Sequence, residues 1–422
     1  MLSCGQRFRT ICYYTVRMKL LIAIPALNEE ASIVSIIRRS LAARKRIVSC
    51  SPVSEVAITV VSDGSTDRTV ELAGQFPEID LIVFERNRGY GAAIKEAWSR
   101  SDADLLAFLD ADGTCDPNFF ADLVQTLVRE DADVVLGCRL NKGSEMPLIR
   151  RVGNLIFASI LTVFSSTRVR DTASGMRIVH RRCLRRLMPL PDGLHFTPAM
   201  SARALLSRDL KIVEIDMPYR EREGESKLRV GKDGLRFLKV ILQSAFLYRP
   251  SRPLGLLGML FLFVAVALMW MPTRYYLTHH SVTEWMIYRF VVSHLAGTSA
   301  CLLFCAAFLT GKMVRISLAE NMADPRDSLT GRLERILEAP AFWLIPIAMV
   351  LAGVILVIPS FIQLVETGAT YEHWSRFIAM SFLCSSALIL LVTRAMDYVL
   401  QLVAERLVYL ETKENAVAYT VV

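Results

Sequence analysis

Residues 105–112 read Leu-Leu-Ala-Phe-Leu-Asp-Ala-Asp, an apolar run followed by two carboxylates two positions apart. Such a run is typical of a buried strand in a parallel sheet. The strand would put Asp110 and Asp112 at its carboxyl end, where open α/β sheets bind ligands. Carboxylate oxygens are preferred ligands of Mg²⁺, which in turn bridges phosphates. The pair therefore indicates a nucleotide diphosphate site, although two aspartates in a turn also serve as caps.

Short apolar runs alternate with amphipathic stretches on both sides of this segment, from residue 20 to about residue 218. The predicted strands are 20–24, 56–61, 81–84, 105–109 and 133–136, and the predicted helices are 29–46, 67–76, 92–100, 117–129 and 148–164. Alternation of this kind favours an α/β fold whose mostly parallel sheet is covered on both faces.

The chain becomes much more apolar after about residue 250, where four stretches are long enough to cross a bilayer. These predicted transmembrane helices are 254–271, 290–309, 342–365 and 377–396. Lys and Arg are more frequent in 311–340 than in 272–289 or 366–376, so we expect 311–340, the tail and the N-terminal domain to be cytoplasmic. The basic amphipathic segment 232–248 is predicted to lie in the membrane interface, with core packing as the alternative.

Composition narrows the classes of function. The 422 residues carry a formal net charge of +8, which favours anionic partners such as phosphates or anionic lipid. Nucleic acid is not expected as a partner, because no zinc-finger spacing or aromatic RNA-binding motif occurs. The nine cysteines are dispersed without a Cys-x-x-Cys pair, which argues for a reducing compartment. A cleaved signal peptide is not expected either, and translation from Met18 is a further hypothesis.

Three further motifs lie at the end of a predicted strand or at the start of a predicted helix. They read Ile-Pro-Ala-Leu-Asn-Glu-Glu at 24–30, Val-Ser-Asp-Gly-Ser-Thr-Asp at 61–67 and Asn-Arg-Gly-Tyr-Gly-Ala-Ala at 87–93. Asp63 ends a strand, where a carboxylate can accept hydrogen bonds from a nucleobase or ribose. Glu29 would face the ligand crevice or simply favour the first turn of a helix. Gly89 and Gly91 would let the backbone approach a ligand closely.

In this order and spacing, the four motifs resemble the GT-A domain of family 2 glycosyltransferases over about residues 19–230. A narrower resemblance, to dolichol-phosphate mannosyltransferases and bacterial polyprenyl-phosphate glycosyltransferases, depends on residues 137–139, 171–177 and 219–227. It implies an α/β GT-A fold followed by an α-helical multi-pass transmembrane region. The implied domains are an extension at 1–18, a GT-A catalytic domain at 19–230, a juxtamembrane helix at 231–252, four transmembrane helices within 253–396 and a cytoplasmic tail at 397–422.

The resemblance also implies roles for individual residues. The nucleotide would be bound by Pro25, Asn28, Glu29, Asp63, Gly89 and Gly91. Asp110 and Asp112 would bind Mg²⁺ or Mn²⁺ and organise the diphosphate. The donor or acceptor phosphates would meet Arg139, Arg177, Arg222 and Lys227. The catalytic candidates are Asp110, Asp112, Arg139 and Asp171. Asp171 and His195 are the two possible general bases. The alternative role of Asp171 is to hold Arg177 or a backbone turn.

The implied reaction is inverting transfer of one sugar from a GDP- or UDP-sugar to a polyprenyl phosphate. The expected location is the cytoplasmic face of a bacterial inner membrane, as a multi-pass protein that can form a homo-oligomer. Residues 193–199 lack the acidic residue that many hydroxyl-acceptor relatives have there, which favours a phosphate acceptor. Two alternatives stay open. One is a transferase acting on a lipid hydroxyl or another membrane acceptor, and the other is a sugar-lipid flippase or assembly module.

Overall fold

The computed structural model of the chain describes residues 17–141, 144–165, 167–207, 209–220, 230–317, 335–336, 339–369 and 373–420. It divides into two compact units between Tyr248 and Arg249. Residues 231–248 of the predicted juxtamembrane helix therefore belong to the first unit, and residues 249–252 belong to the second. The predicted phosphate ligands Arg222 and Lys227 lie outside the described residues, as does most of the segment 311–340.

The first unit contains a seven-stranded sheet. Its strands are β1 (Met18–Ala26), β2 (Val53–Asp63), β3 (Asp80–Phe84), β4 (Leu105–Leu109), β5 (Val134–Cys138), β6 (Met176–His180) and β7 (Ile212–Asp216). They lie in the order β3-β2-β1-β4-β6-β5-β7, and β6 is antiparallel to both of its neighbours. The prediction of a mostly parallel GT-A sheet is confirmed, and β6 and β7 are strands that the sequence patterns did not indicate.

Eight helices of the described chain accompany this sheet. They are α1 (Ile33–Cys50), α2 (Thr69–Ala73), α3 (Tyr90–Ser99), α4 (Phe120–Arg129), α5 (Leu148–Phe164), α6 (Leu184–Leu187), α7 (Phe196–Leu206) and α8 (Val230–Tyr248). Alternate residues of β1 pack into different core clusters, Leu20 and Ile22 into one and Leu21 and Ala23 into the other. Both faces of the sheet are therefore buried at β1, which explains why that strand is almost continuously apolar.

The helix α1 begins four residues later than predicted, at Ile33 rather than Glu29. Asn28 has a positive φ of 49°, and the next residues form a turn in which the Ser32 and Ile33 amides donate to the carbonyl of Glu29. A residue with positive φ cannot belong to a right-handed helix, so Asn28 separates the end of β1 from the turn that precedes α1. The first motif is therefore a loop between β1 and α1, which leaves its polar groups available to neighbouring loops.

The second unit is formed by long apolar helices. They are α9 (Ser251–His279), α10 (Ile287–Ser317), α11 (Leu344–Thr367) and α12 (Trp374–Thr420). Each contains one predicted span, apart from residues 342–343 just before α11, and is long and apolar enough to cross a membrane, so the chain is a membrane protein. The fully buried carboxylate of Asp397 on α12 pairs with Lys312 on α10 and with Arg394. This ion cluster joins two helices of the unit.

Candidate functional site

The site lies at the carboxyl ends of β1, β2 and β4, which run parallel to one another. Ala26 at the end of β1 is in register with Ser62, one residue before Asp63, and Pro25 is in register with Val61. Asp110 follows the last residue of β4. Because parallel strands end at the same edge of a sheet, the topology brings three motifs to one edge. They are the motifs at 24–30 and 61–67 and the Asp110–Asp112 pair.

Hydrogen bonds join the first two motifs to each other. The amide of Asn28 donates to Oγ of Ser65 at 3.1 Å, and the amide of Thr66 donates to Oδ1 of Asn28 at 2.7 Å. The amide of Glu29 donates to Oγ1 of Thr69 at 2.8 Å. The residues predicted to bind a nucleoside are thus assembled on two loops that support each other, and their contact with a nucleoside stays a prediction.

Asp63 links the second motif to the third. Its carboxylate is only 3% exposed and accepts hydrogen bonds from the amides of Arg88 at 2.6 Å and Gly89 at 2.9 Å. Burial raises the pKa of Asp63, while these amides and the charge of Arg88 act to lower it. One established role of Asp63 is therefore to hold the loop before α3.

The two glycines of the third motif are required by protein contacts. A Cβ on Gly89 would lie 2.4 Å from the carbonyl oxygen of Asp192, and one on Gly91 would lie 2.2 Å from that of Pro191. Gly89 also has a φ of +110°, which side chains rarely allow. The close approach of the 191–192 loop accounts for both glycines, so their predicted approach to a nucleotide stays a prediction.

The carboxylates of Asp110 and Asp112 are both half-buried at this edge, on either side of the buried Ala111. Oδ1 of Asp110 accepts a hydrogen bond of 2.6 Å from the hydroxyl of Tyr90. Oδ1 of Asp112 accepts from the hydroxyl of Thr114 at 2.7 Å and from its amide at 3.2 Å. Asp112 therefore shapes its own loop while its carboxylate stays at the surface of the site.

The donor set of this pair fits a hard divalent cation, because carboxylate oxygens suit Mg²⁺ and Mn²⁺. Within the described ranges, no group of three or more His, Cys, Asp or Glu side chains is close enough to hold a metal. Mg²⁺ commonly needs only one or two carboxylates when waters and phosphates complete its shell. Arg39 of α1 supports the loop by donating to the carbonyls of Gly113 and Cys115, both at 3.0 Å.

Arg139 and Asp171 form a buried ion pair. Nε of Arg139 lies 2.7 Å from Oδ2 of Asp171, and Nη2 lies 2.9 Å from Oδ1, with side-chain exposures of 12% and 0%. Asn154 of α5 donates to the same carboxylate at 2.6 Å. Burial acts to raise the pKa of Asp171, but the charge and hydrogen bonds of Arg139 outweigh it and lower that pKa. Asp171 thus orients Arg139, whereas the sequence suggested Arg177 as its partner.

Arg177 lies behind the site with no exposed surface. Its guanidinium donates to the carbonyls of Ser174 at 3.0 Å and Thr172 at 2.8 Å and to the hydroxyl of Ser201 at 2.9 Å. Burial lowers the pKa of Arg177 to about 10. These bonds fix the loop between Asp171 and β6, and the predicted contact of Arg177 with a phosphate stays a prediction. His195 directly precedes α7, and burial lowers its pKa.

The buried phenol of Tyr219 is affected by the charges of Arg139 and of the Asp110–Asp112 pair. Burial raises the pKa of Tyr219, Arg139 lowers it, and Asp112 and Asp110 raise it. The Arg139 guanidinium lies 5.5 Å from the centre of the Tyr219 ring. Tyr219 is thus close enough to Arg139, Asp112 and Asp110 for their charges to act on its pKa. Sequence reasoning missed Tyr90, Tyr219, Arg39 and Asn154 as site residues, although the first two lie inside quoted motifs.

Parts of this chain are similar to known proteins. Residues 21–188 match the family described as glycosyl transferase family 2. A low-salt glycan biosynthesis hexosyltransferase of Haloferax volcanii is 35% identical over 252 residues, which cover 58% of this chain and 59% of that protein. A dolichyl-phosphate hexose transferase of the same organism is 34% identical over 178 residues, 41% of this chain and 74% of that protein.

Two more distant similarities are also found. An undecaprenyl-phosphate 4-deoxy-4-formamido-L-arabinose transferase of Photorhabdus laumondii is 30% identical over 215 residues, 50% of this chain and 62% of that protein. Among solved structures, glucosyl-3-phosphoglycerate synthase from Mycobacterium tuberculosis, in complex with Mn²⁺, UDP and glucosyl-3-phosphoglycerate, is 21% identical with a TM-score of 0.44. That similarity covers 54% of this chain and 80% of the synthase.

Proposed function

The chain belongs to glycosyl transferase family 2, and on that basis we propose that it transfers a single sugar from a nucleotide-sugar to a polyprenyl phosphate. The observation that carries the proposal is the similarity of its first unit to dolichyl- and undecaprenyl-phosphate sugar transferases. The apolar helices α9 to α12 support it, because a polyprenyl acceptor is itself held in a membrane.

The proposed reaction is a single displacement. An acceptor phosphate oxygen attacks the anomeric carbon of the donor sugar and forms the new C–O bond. The C–O bond to the diphosphate breaks, the nucleoside diphosphate leaves with the electron pair, and the anomeric configuration inverts. A phosphate is already ionised near neutral pH, so the acceptor needs no strong general base.

Asp110 and Asp112 are the residues that would hold Mg²⁺ or Mn²⁺. When bound, such a cation offsets the negative charge that develops on the departing diphosphate. The chain contributes the arrangement of its ligands, since Thr114 orients Asp112 and Arg39 fixes the loop that follows. Loss of either carboxylate should therefore remove both the cation and the transfer activity.

Arg139 is the side chain that would meet a phosphate of the donor or acceptor. Asp171 occupies its Nε and Nη2, while Nη1 has no hydrogen-bond partner in the part of the chain that the structure describes. The Arg139 side chain is 12% exposed, and we propose that a ligand would reach its remaining donors there. The fully buried Asp171 acts in this proposal as a positioning residue for Arg139 rather than as a base.

Two helices of the first unit offer an apolar surface to a membrane. Leu148 and Ile149 of α5 are exposed, as are Leu235 and Phe246 of α8, and the helices pack together through Phe157 and Phe237. Exposed apolar side chains beside basic ones are typical of helices in a membrane interface. We propose that this surface lies on the cytoplasmic leaflet, where it would keep the acceptor headgroup near the site.

Transfer can be tested with the purified full chain in lipid nanodiscs. We expect it to convert a polyprenyl phosphate and one member of a panel of GDP- and UDP-sugars to a glycolipid when Mn²⁺ or Mg²⁺ is present. Asp112→Asn should lower the rate by a factor on the order of 10² or more. Asp116→Asn is the matched control, because within the described residues the Asp116 side chain accepts hydrogen bonds from the nearby Asn118. Full activity of Asp112→Asn would contradict the assigned metal site.

A further inference from the structure

Tyr90 has no part in the chemistry described above, yet its hydroxyl donates directly to Oδ1 of Asp110. The Tyr90 ring meets Phe108 and Phe196 edge to face, with ring centres 6.3 and 6.4 Å apart. Phe108 belongs to β4 and lies two residues before Asp110. Edge-to-face contacts restrain a ring, so the hydroxyl reaches the carboxylate from a fixed position in the core.

The backbone on both sides of Tyr90 is equally constrained. Gly89 and Gly91 lie against the carbonyls of the 191–192 loop with no room for a Cβ. The amide of Ala92 donates to the carbonyl of Asp192 at 3.0 Å. The first turn of α3 is thus tied to this loop, and Tyr90 is the one residue of the Gly-Tyr-Gly sequence whose side chain extends from it.

Gly175 confines the same carboxylate from another direction. The backbone amide of Asp110 donates to the carbonyl of Gly175 at 3.2 Å. A Cβ on Gly175 would lie only 1.7 Å from Oδ2 of Asp110, so any side chain at this position would displace the carboxylate. No left-handed φ accounts for this glycine, which leaves the space required by Asp110 as the physical reason for it.

We propose that Tyr90 and Gly175 are positioning residues that fix the Asp110 carboxylate for cation binding, Tyr90 by its hydrogen bond to Oδ1 and Gly175 by leaving room for Oδ2. The inference rests on the proposed function, because it takes Asp110 and Asp112 as the metal ligands. A ligand held in place before the cation arrives loses little side-chain freedom on binding. Removal of a residue that orients a metal ligand commonly lowers metal affinity 10- to 100-fold, so we expect a loss of about 10-fold or more.

The test measures Mn²⁺ binding to the purified full chain through the loss of the electron paramagnetic resonance signal of hydrated Mn²⁺. Tyr90→Phe removes the hydroxyl and keeps the ring. Its matched control is Tyr248→Phe, which removes a hydroxyl that donates to a backbone carbonyl instead. Gly175→Ala disturbs the other side of the carboxylate. Its control is Gly153→Ala, because a Cβ on Gly153 would meet nothing within 4 Å.

We expect Tyr90→Phe and Gly175→Ala to bind Mn²⁺ about 10-fold or more weakly, and both controls to bind it like the wild type. Saturating Mn²⁺ should restore most of the transfer rate of Tyr90→Phe. Thermal unfolding without metal identifies any variant that does not fold, in which case the other variant decides. Wild-type affinity in the folded variants would overturn the positioning role.

Asp112→Asn separates this inference from the proposed function. Wild-type Mn²⁺ binding by Asp112→Asn would overturn the metal site itself. Loss of binding in Asp112→Asn together with wild-type binding in Tyr90→Phe and Gly175→Ala would overturn only the positioning of Asp110.

Discussion

Replacing Asp171 by Asn should destabilise the first unit strongly, because it removes one charge of a buried ion pair. The Asp171 side chain is fully buried and accepts from two nitrogens of the Arg139 side chain and from Asn154. Removing one partner of a buried pair typically lowers the free energy of unfolding by about 3–5 kcal/mol. Since Asn keeps one carbonyl oxygen as an acceptor, we expect the lower end, about 3 kcal/mol.

Pulse proteolysis of the full chain over a urea gradient measures this change through the survival of the first unit. Asp102→Asn is the matched control, because the Asp102 side chain is 85% exposed and its ion pair with Lys19 spans 3.3 Å. A surface pair contributes about 1 kcal/mol or less. Unfolding of Asp171→Asn at the urea concentration of the control would refute the structural role of the buried pair.

The same ion pair predicts a dependence on pH. Arg139 holds the folded-state pKa of Asp171 below its ordinary value despite burial, which alone would raise that pKa. The stabilisation is therefore fully present above the unfolded-state pKa of about 4 and is lost as the pH falls through the folded-state pKa. The difference in urea midpoint between wild type and Asp171→Asn should shrink when the measurement is repeated in acid. A difference that is unchanged at pH 3 would contradict this assignment.

Three other changes test separate parts of the structure. Gly89→Ala should prevent stable folding of the first unit, because residue 89 has a φ of +110° and an added Cβ would lie 2.4 Å from a carbonyl oxygen. Loss of protease resistance measures this effect, and wild-type resistance would refute it. Asp397→Asn should lower the thermal unfolding temperature in detergent, because it removes the charge that pairs with Lys312 and Arg394 between apolar helices. The control Glu366→Gln, at an exposed position, should not lower that temperature. If α8 lies in the membrane interface, brominated lipids should quench a fluorophore attached to Leu242→Cys on α8. They should not quench one attached to the likewise exposed Val48→Cys on α1, and equal quenching of the two would contradict the interfacial location.

Local hydrophobic patterns predicted the strands and helices in which those patterns are strong. The strand 105–109 and the helix 148–164 have the predicted bounds, because each is a continuous apolar or amphipathic run. The helix α7 left no such signal, since nearly all of its residues are buried and no apolar face stands out. The strand β6 was hidden for another reason. Its antiparallel place between β4 and β5 depends on long-range pairing rather than on local sequence.

The position of the candidate site residues at strand ends could be predicted from the sequence, whereas their contacts with one another could not. Asp63, Asp110 and Asp112 lie at strand ends as their sequence positions indicated. The partner of Asp171 could not be derived from spacing, because Arg139 and Asp171 meet only after α5 carries the chain back to the sheet. The hydrogen bond from Tyr90 to Asp110 likewise depends on how α3 packs against β4.

We propose that the acceptor is a lipid phosphate, and the most direct test compares two acceptors that differ only in that group. The full chain would be supplied with the donor sugar identified in the panel, Mn²⁺, and either a polyprenyl phosphate or the corresponding polyprenol. Mass spectrometry of the extracted lipid then identifies the product. We predict a glycosyl polyprenyl phosphate from the first acceptor and no product from the second. Glycosylation of the polyprenol at an equal or greater rate would contradict the account.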